Sequence, residues 1–358
     1  MSAKRIADLR KKIRAENLDG MVVTHLDHVR YLCGYTGTNG LLLIGPRYAD
    51  FFTDFRYAEQ AKKQVKGANV HIATKGDLIA VLKDYPGFNV NNMKYGFSEE
   101  YLNVGGLKKL EQVLPDAVLV GADKVLADMG WVKEPAELTN IKKAVKISDV
   151  AFERILQIIT PGVRERELAA ELEYQMMMLG SEKPAFETIV ASGYRSAMPH
   201  GVASDKIVKK GEFITFDFGA TVNGYVSDMT RTVVVGKATS RQKKIYNIVL
   251  RAQLAGIKKV KAGLTGTDVD AVCRKIIARA GYGKNFGHGT GHGIGYFVHL
   301  GPRISFQSKD KLKVNNVITI EPGIYLSGWG GVRIEDDVVV TRNGCKVLNK
   351  AEKKLLEL

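Results

Sequence analysis

The stretch from Phe213 to Val235 reads Phe-Ile-Thr-Phe-Asp-Phe-Gly-Ala-Thr-Val-Asn-Gly-Tyr-Val-Ser-Asp-Met-Thr-Arg-Thr-Val-Val-Val. Its two runs of β-branched and aromatic residues, roughly 213 to 218 and 222 to 235, read as strands. Each has an aspartate beside it. Asp217 ends the first run in Phe216-Asp217-Phe218-Gly219, and Asp228 follows eleven residues later in Ser227-Asp228-Met229-Thr230-Arg231-Thr232. A carboxylate next to an apolar strand is costly to desolvate unless it gains a partner.

Three more such residues lie downstream. His292 sits in Gly291-His292-Gly293-Ile294-Gly295, Glu321 ends Ile318-Thr319-Ile320-Glu321-Pro322-Gly323, and Glu335 lies in Val332-Arg333-Ile334-Glu335-Asp336-Asp337. Singly, each has a plain reading: Asp217 as a turn residue before Gly, Glu335 as a partner of Arg333, His292 as a loop residue among glycines. As a set they read differently. The glycines beside His292 and Glu321 permit close backbone approach. Four carboxylates cannot stay ionised together without strong cations, and oxygen donors with a single imidazole make a hard site suited to manganese, cobalt or iron(II). Two metals about 3.5–4 Å apart can share a hydroxide, lower its pKa toward about 7 and polarise a carbonyl. That is machinery for hydrolysis.

Working outward, apolar residues from Ile141 to Ile159 recur at helical spacing until Pro161-Gly162, and a second helix is expected over about 165 to 179. Its run Met176–Met178 reads as core packing. Strands are expected at 187 to 191, 213 to 218 and 222 to 235. Helices near 241 to 262 and 267 to 281 then precede apolar stretches at 294 to 299, 316 to 321 and 332 to 341. Two helices followed by strands, twice over, suggest two related halves. The first 135 residues instead alternate short strands and helices, with turns at Gly45-Pro46 and Pro86-Gly87, as a small α/β unit does. A linker with Trp131 and Pro135 joins the parts. The fold class is therefore α+β, with domains expected at 1–132 and 136–358.

Composition narrows the function classes. The 358 residues are 45% hydrophobic and 25% charged, the balance of a soluble globular chain of about two domains. There is no apolar run of 18 residues, so no membrane partner is expected. No secretory signal is visible at the N-terminus, and Cys33, Cys273 and Cys345 read as free thiols, which together suggest a cytoplasmic location. The net charge of +15 is uneven: residues 1–140 carry 19 basic and 17 acidic side chains, residues 141–358 carry 34 and 21. Pairs such as Lys243-Lys244 and Lys258-Lys259 read as solvated helix faces. No base-stacking motif accompanies them, so no nucleic acid is expected.

In these motifs and this order, Asp217, Asp228, His292, Glu321 and Glu335 resemble the dinuclear metallopeptidases of the pita-bread fold. That family includes methionine aminopeptidase, aminopeptidase P and prolidase. The resemblance covers residues 136–358, and the first 135 residues look like the creatinase/prolidase-type N-terminal domain. It implies a pita-bread (creatinase/aminopeptidase) catalytic domain holding two divalent metal ions, manganese first, with cobalt, iron or zinc as alternatives. By it, Asp217, Asp228 and Glu335 are shared or bidentate ligands, and His292 and Glu321 complete one metal's coordination. His200, in Met198-Pro199-His200-Gly201, is similar to the histidine that touches the scissile peptide and its leaving group. His299, in Phe297-Val298-His299, is similar to the substrate-side histidine, and His288 to a loop residue near the substrate cleft. Leu300 stands where the family commonly has a carboxylate. Arg303 resembles an arginine that meets the free carboxylate of a dipeptide in prolidases, with a plain surface role beside that reading. His25, His28 and His71 have no such match.

The resemblance implies hydrolysis of an N-terminal Xaa-Pro bond in proline-containing peptides, by a homodimer. Such a bond needs a dedicated site, because its nitrogen carries no N–H and the ring fixes φ. The region Thr53-Asp54-Phe55-Arg56-Tyr57 points to Xaa-Pro aminopeptidase, and Arg303 to the alternative, Xaa-Pro dipeptidase (prolidase). Methionine aminopeptidase fits less well, since its typical chain lacks the first domain. The reading from another class is a non-catalytic pita-bread module that binds a partner through the basic half.

Overall fold

The computed structural model describes residues 2–74, 77–85 and 92–358; the expected Pro86-Gly87 turn lies outside the described residues. The chain forms two compact units, Met1–Met129 and Gly130–Leu358.

In the first unit, α1 (Ser2–Ala15) places Ile6, Leu9 and Ile13 on one buried stripe. There follow β1 (Gly20–Val23), α2 (Leu26–Cys33), β2 (Leu41–Ile44), β3 (Ala49–Asp54), α3 (Ala58–Gln64), β4 (Asn69–Ala73) and α4 (Leu78–Val81). The unit closes with β5 (Lys94–Phe97), α5 (Val104–Val113), β6 (Val118–Gly121) and α6 (Asp123–Ala127). The strands make one sheet in the order β4-β3-β2-β1-β5-β6, with Val22, Leu43, Phe52 and Tyr95 in its core. α2, β5 and α6 are not among the elements that the residue pattern predicts. α2 is short, and one of its inward residues is a histidine, His28, which masks its apolar stripe. The charged Thr53–Tyr57 stretch is structural in form: the Asp54 carboxylate accepts from Arg56 N at 3.0 Å and Arg56 Nε at 2.8 Å, capping a short 3₁₀ turn.

In the second unit, α7 (Pro135–Ile155) starts on a proline, with Glu134 N donating to the Glu137 carboxylate at 2.7 Å in a capping box. α8 (Glu165–Met178) follows, then β7 (Ile189–Ser192), β8 (Phe213–Phe218), β9 (Thr221–Val222), β10 (Tyr225–Val226) and β11 (Met229–Val234). Thr239 and Thr265 open α9 (Ser240–Lys259) and α10 (Gly266–Arg279) with capping boxes of their own. The remaining strands are β12 (Gly291–Gly293), β13 (Leu300–Ile304), β14 (Val317–Ile320), β15 (Gly323–Leu326), β16 (Gly330–Arg333), β17 (Asp336–Val340) and β18 (Cys345–Val347). Two sheets hold or border the expected ligands, β11-β8-β7 and β13-β12-β14-β17-β18, with β8 and β14 each antiparallel to both neighbours. The expected repetition is thus visible as helix pair and three strands, α7-α8-β7-β8-β11 and α9-α10-β12-β14-β17.

Three expectations need correction. The run 222–235 is not one strand: Asn223-Gly224 turns β9 into β10, and Ser227-Asp228 separates β10 from β11. The run 294–299 is a loop, and the strand lies just before it, at β12. A Cβ on Gly291 would sit 2.1 Å from Thr319 O, and one on Gly293 2.1 Å from Gly301 O. Close strand approach therefore demands glycines that a propensity reading counts against a strand. The methionine run also splits: Met176 is buried, whereas Met177 and Met178 are more than half exposed, as 100° per residue requires. Lys133 is fully buried, its Nζ donating to Trp131 O at 3.1 Å, and burial pushes its pKa down to about 7. Among the described residues no helix is long and apolar enough to cross a membrane.

Candidate metal centre

The two halves bring strand ends together around a cavity of about 440 Å³. Asp217 lies in β8, paired in register with Thr230 of β11 and Ile189 of β7. Asp228 immediately precedes β11, and Glu335 immediately precedes β17. Glu321 follows β14, and His292 is the middle residue of β12. All five line the cavity, together with His200, His288 and His299.

Ligand atoms of Asp228, His292 and Glu335 lie within 4.8 Å of one another. His292 Nε2 is 3.6 Å from Asp228 Oδ2 and 3.4 Å from Glu321 Oε1. The ring's other nitrogen, Nδ1, lies 3.1 Å from Gly293 O. A carbonyl only accepts, so Nδ1 carries the proton and Nε2 turns its lone pair toward the carboxylates. Burial holds the His292 pKa below its ordinary value, which keeps that lone pair free at neutral pH.

The acids are set in place by hydroxyls and one arginine. Thr319 accepts from His292 N at 3.1 Å and donates to Glu321 Oε1 at 3.2 Å. Thr230 donates to Glu335 Oε2 at 2.6 Å and accepts from Arg333 Nε at 3.0 Å. Arg333, on the wholly buried β16, also donates from Nη2 to Asp217 Oδ2 at 2.6 Å and from Nη1 to the Tyr325 hydroxyl at 2.9 Å. His288 completes the chain: Nδ1 donates to Gly289 O at 2.7 Å, so Nε2 accepts from Tyr325, 2.9 Å away. Burial pushes the Tyr325 hydroxyl up to about 12, and it stays protonated. Behind the site, the buried Arg231 uses its guanidinium on the carbonyls of Thr230, Glu335, Ala351 and Glu352 and on Asp336 Oδ1.

A cation fits this donor set. Asp217 Oδ1 is buried without a hydrogen-bond partner. Burial, and then mutual repulsion, raise the pKa values of Asp228 and Glu335 well above the usual carboxylate range. Burial also raises that of Glu321. Positive charge placed among them relieves both costs, and hard divalent ions suit oxygen donors with one imidazole.

The other expected residues differ in placement. His200 is exposed at the rim, in the turn after Pro199, and its ring makes no hydrogen bond among the described residues. His299 is exposed at the cavity, its ring centroid 4.5 Å from that of His292. Arg303 is exposed on β13 and does not line the cavity; its backbone N donates to Asp310 at 2.9 Å, and its charge contributes to holding His292 neutral. His25, His28 and His71 lie in the first unit. Arg333 is not the partner of Glu335 that its spacing suggested; it pairs with Asp217. Sequence reasoning missed Arg333, Tyr325, Thr230 and Thr319 as parts of the site. The available signal was a charged residue two places from Glu335 within an otherwise apolar run.

Comparison with known proteins gives two family matches: Metallopeptidase family M24 over residues 139–342 and the Creatinase/Prolidase N-terminal domain over residues 5–129. The chain is 39% identical to an Xaa-Pro dipeptidase of Pyrococcus horikoshii over 95% of both chains. It superposes with a TM-score of 0.95 on an Xaa-Pro dipeptidase from Bacillus anthracis, at 42% identity and full coverage of both chains. It also matches an X-Pro aminopeptidase from Thermotoga maritima, with a TM-score of 0.89 and 39% identity over 99% of each chain.

Proposed function

This chain belongs to metallopeptidase family M24, with a creatinase/prolidase N-terminal domain ahead of the catalytic part, and on that premise we propose that it is an Xaa-Pro dipeptidase. As an M24 enzyme it is a metal-dependent peptidase. The observation that carries the dipeptide reading is near full-length similarity to Xaa-Pro dipeptidases in both sequence and structure. It replaces the aminopeptidase expected from the Tyr57 region, where Asp54 and Arg56 serve to cap a turn. The binding-module reading has no comparable support.

In this reading Asp217, Asp228, His292, Glu321 and Glu335 hold two divalent ions, manganese first. Bound ions would polarise the scissile carbonyl and lower the pKa of a water toward neutrality. The chain's own groups do the rest. Arg333 and Thr230 fix the directions of Asp217 and Glu335, and Thr319 that of Glu321, so the acids are preorganised. The apolar wall of Ile189, Pro199, Val202 and Val298 takes the uncharged parts of the peptide. His200 reaches the leaving proline nitrogen from the rim and hands it a proton, which a tertiary amide nitrogen needs in order to depart. His299, whose ring lies beside that of His292 in the cavity lining, meets the substrate there. Arg303, exposed on β13 and outside the cavity lining, can meet the dipeptide's free carboxylate only where that end of the substrate extends past the lining.

The test is hydrolysis of Ala-Pro, Ala-Pro-Ala and Ala-Ala by manganese-loaded protein. Ala-Pro should be cleaved fastest, Ala-Pro-Ala far more slowly and Ala-Ala least. Preference for Ala-Pro-Ala restores the aminopeptidase reading, and equal cleavage of Ala-Ala removes the proline specificity altogether.

A further inference from the structure

We infer that Glu187 makes this enzyme selective for a cationic side chain on the residue ahead of proline; the inference rests on the Xaa-Pro reading above. Five acids line the cavity. Four are Asp217, Asp228, Glu321 and Glu335, each bound up with the candidate metal centre. The fifth, Glu187, has no part in that arrangement. It is exposed, and its carboxylate makes no hydrogen bond or ion pair among the described residues.

Its position along the wall specifies what it can meet. Ile189, the first residue of β7, lies directly opposite Asp217 in register, and also bridges to Val202. Glu187 stands two residues upstream, and like Ile189 it faces the cavity. At about 3.3 Å per extended residue, that is roughly 6–7 Å along the wall from the pair at Asp217. A first residue whose backbone is held at the carboxylate cluster cannot bring its α-ammonium that far. A lysine or arginine side chain can, with its methylene stem lying on Ile189 and Phe186 and its charge at the rim. An apolar wall that ends in an unpaired carboxylate is a pocket for a long, positively tipped chain. Glutamate ahead of proline would meet the same carboxylate as a like charge.

The site is solvent-facing, so the effect is modest: an exposed ion pair supports a preference of roughly twofold to fivefold. The experiment measures kcat/KM for Lys-Pro, norleucine-Pro and Glu-Pro with the metal-loaded enzyme, at low and high salt, for wild type, Glu187→Gln and Glu187→Lys. Norleucine has lysine's length without its charge. The wild-type order should be Lys-Pro over norleucine-Pro over Glu-Pro. The Lys-Pro to norleucine-Pro ratio should fall toward one in Glu187→Gln and in high salt, and Glu187→Lys should invert the order of Lys-Pro and Glu-Pro. A wild-type ratio at or below one, or a ratio unchanged by Glu187→Gln, overturns the inference while leaving dipeptidase activity in place. If norleucine-Pro and Lys-Pro are both untouched by wild type, the Xaa-Pro reading falls, and this inference with it.

Discussion

Arg333→Met should damage the metal-free protein far more than the metal-loaded one. Arg333 is 3% exposed, and its guanidinium ties Asp217, Tyr325 and Thr230 together through three hydrogen bonds. Methionine keeps the length and flexibility of the stem but removes every donor. Asp217 is then left as a largely buried carboxylate with neither oxygen satisfied within the protein, since Oδ1 already lacks a partner. Removing one member of a buried ion pair costs about 3–5 kcal/mol. The two bonds to neutral hydroxyls add about 1 kcal/mol each, partly offset by the apolar contacts of methionine. Arg333→Lys retains a charge for Asp217 but cannot reach three acceptors in a fork, so it should lose roughly half as much. The assay is urea unfolding of the chelated proteins, followed on the transition of the second unit, and then repeated in saturating manganese. Metal supplies Asp217 with a second source of positive charge, so the deficit of Arg333→Met should shrink on loading. Wild-type stability in chelated Arg333→Met would refute the argument, and so would a deficit that metal leaves unchanged.

His200→Ala should retain its metal while kcat falls about 10²–10⁴-fold, read from metal content and single-turnover rates on one preparation; loss of metal would place the histidine among the ligands. Thr230→Val removes the hydroxyl shared by Glu335 and Arg333 and should weaken manganese binding by about tenfold, as outer-shell changes at metal sites do, measured by competition with a chelating dye. Lys133 titrates near pH 7 when folded against about 10.4 when unfolded, so between those values the unfolded chain holds the extra proton and wild-type stability rises with pH, by up to about 1.4 kcal/mol per unit. Lys133→Met lacks that slope and should be the more stable protein below pH 7, with the advantage fading toward pH 10; parallel pH profiles in urea would contradict the burial argument.

The parts of the site that announce themselves in the sequence are those whose chemistry conflicts with their surroundings. Asp217, Asp228, Glu321 and Glu335 stand out because acids beside apolar strands require a reason, and the structure does bring them and His292 to one cavity. The helix pairs were legible because their caps and periodicity are local. Arg333 was not, since its partner Asp217 lies 116 residues away and the nearer Glu335 offers a simpler pairing. β12 was displaced for a different reason: its glycines answer to the backbone of Thr319 and Gly301, and no local pattern carries that information. Glu187 is a single exposed acid just ahead of the buried β7, and only the cavity gives it meaning.

The hydrogen bonds that assemble the acids span long stretches of chain: 105 residues from Thr230 to Glu335, 109 from Asp228 to Asp337 and 116 from Arg333 to Asp217. Each helix pair, by contrast, joins neighbours in sequence. Closing a loop of that length costs on the order of 4 kcal/mol of chain entropy, more than any one of these bonds returns. The two halves can therefore condense early, each on its own helices, while the acids remain apart until the halves meet. During refolding, helical signal should recover before the capacity to capture manganese, and an ion present from the start would have no assembled cage to seed. It would act instead as a latch on the last step, slowing reopening of the joined halves without hastening their encounter.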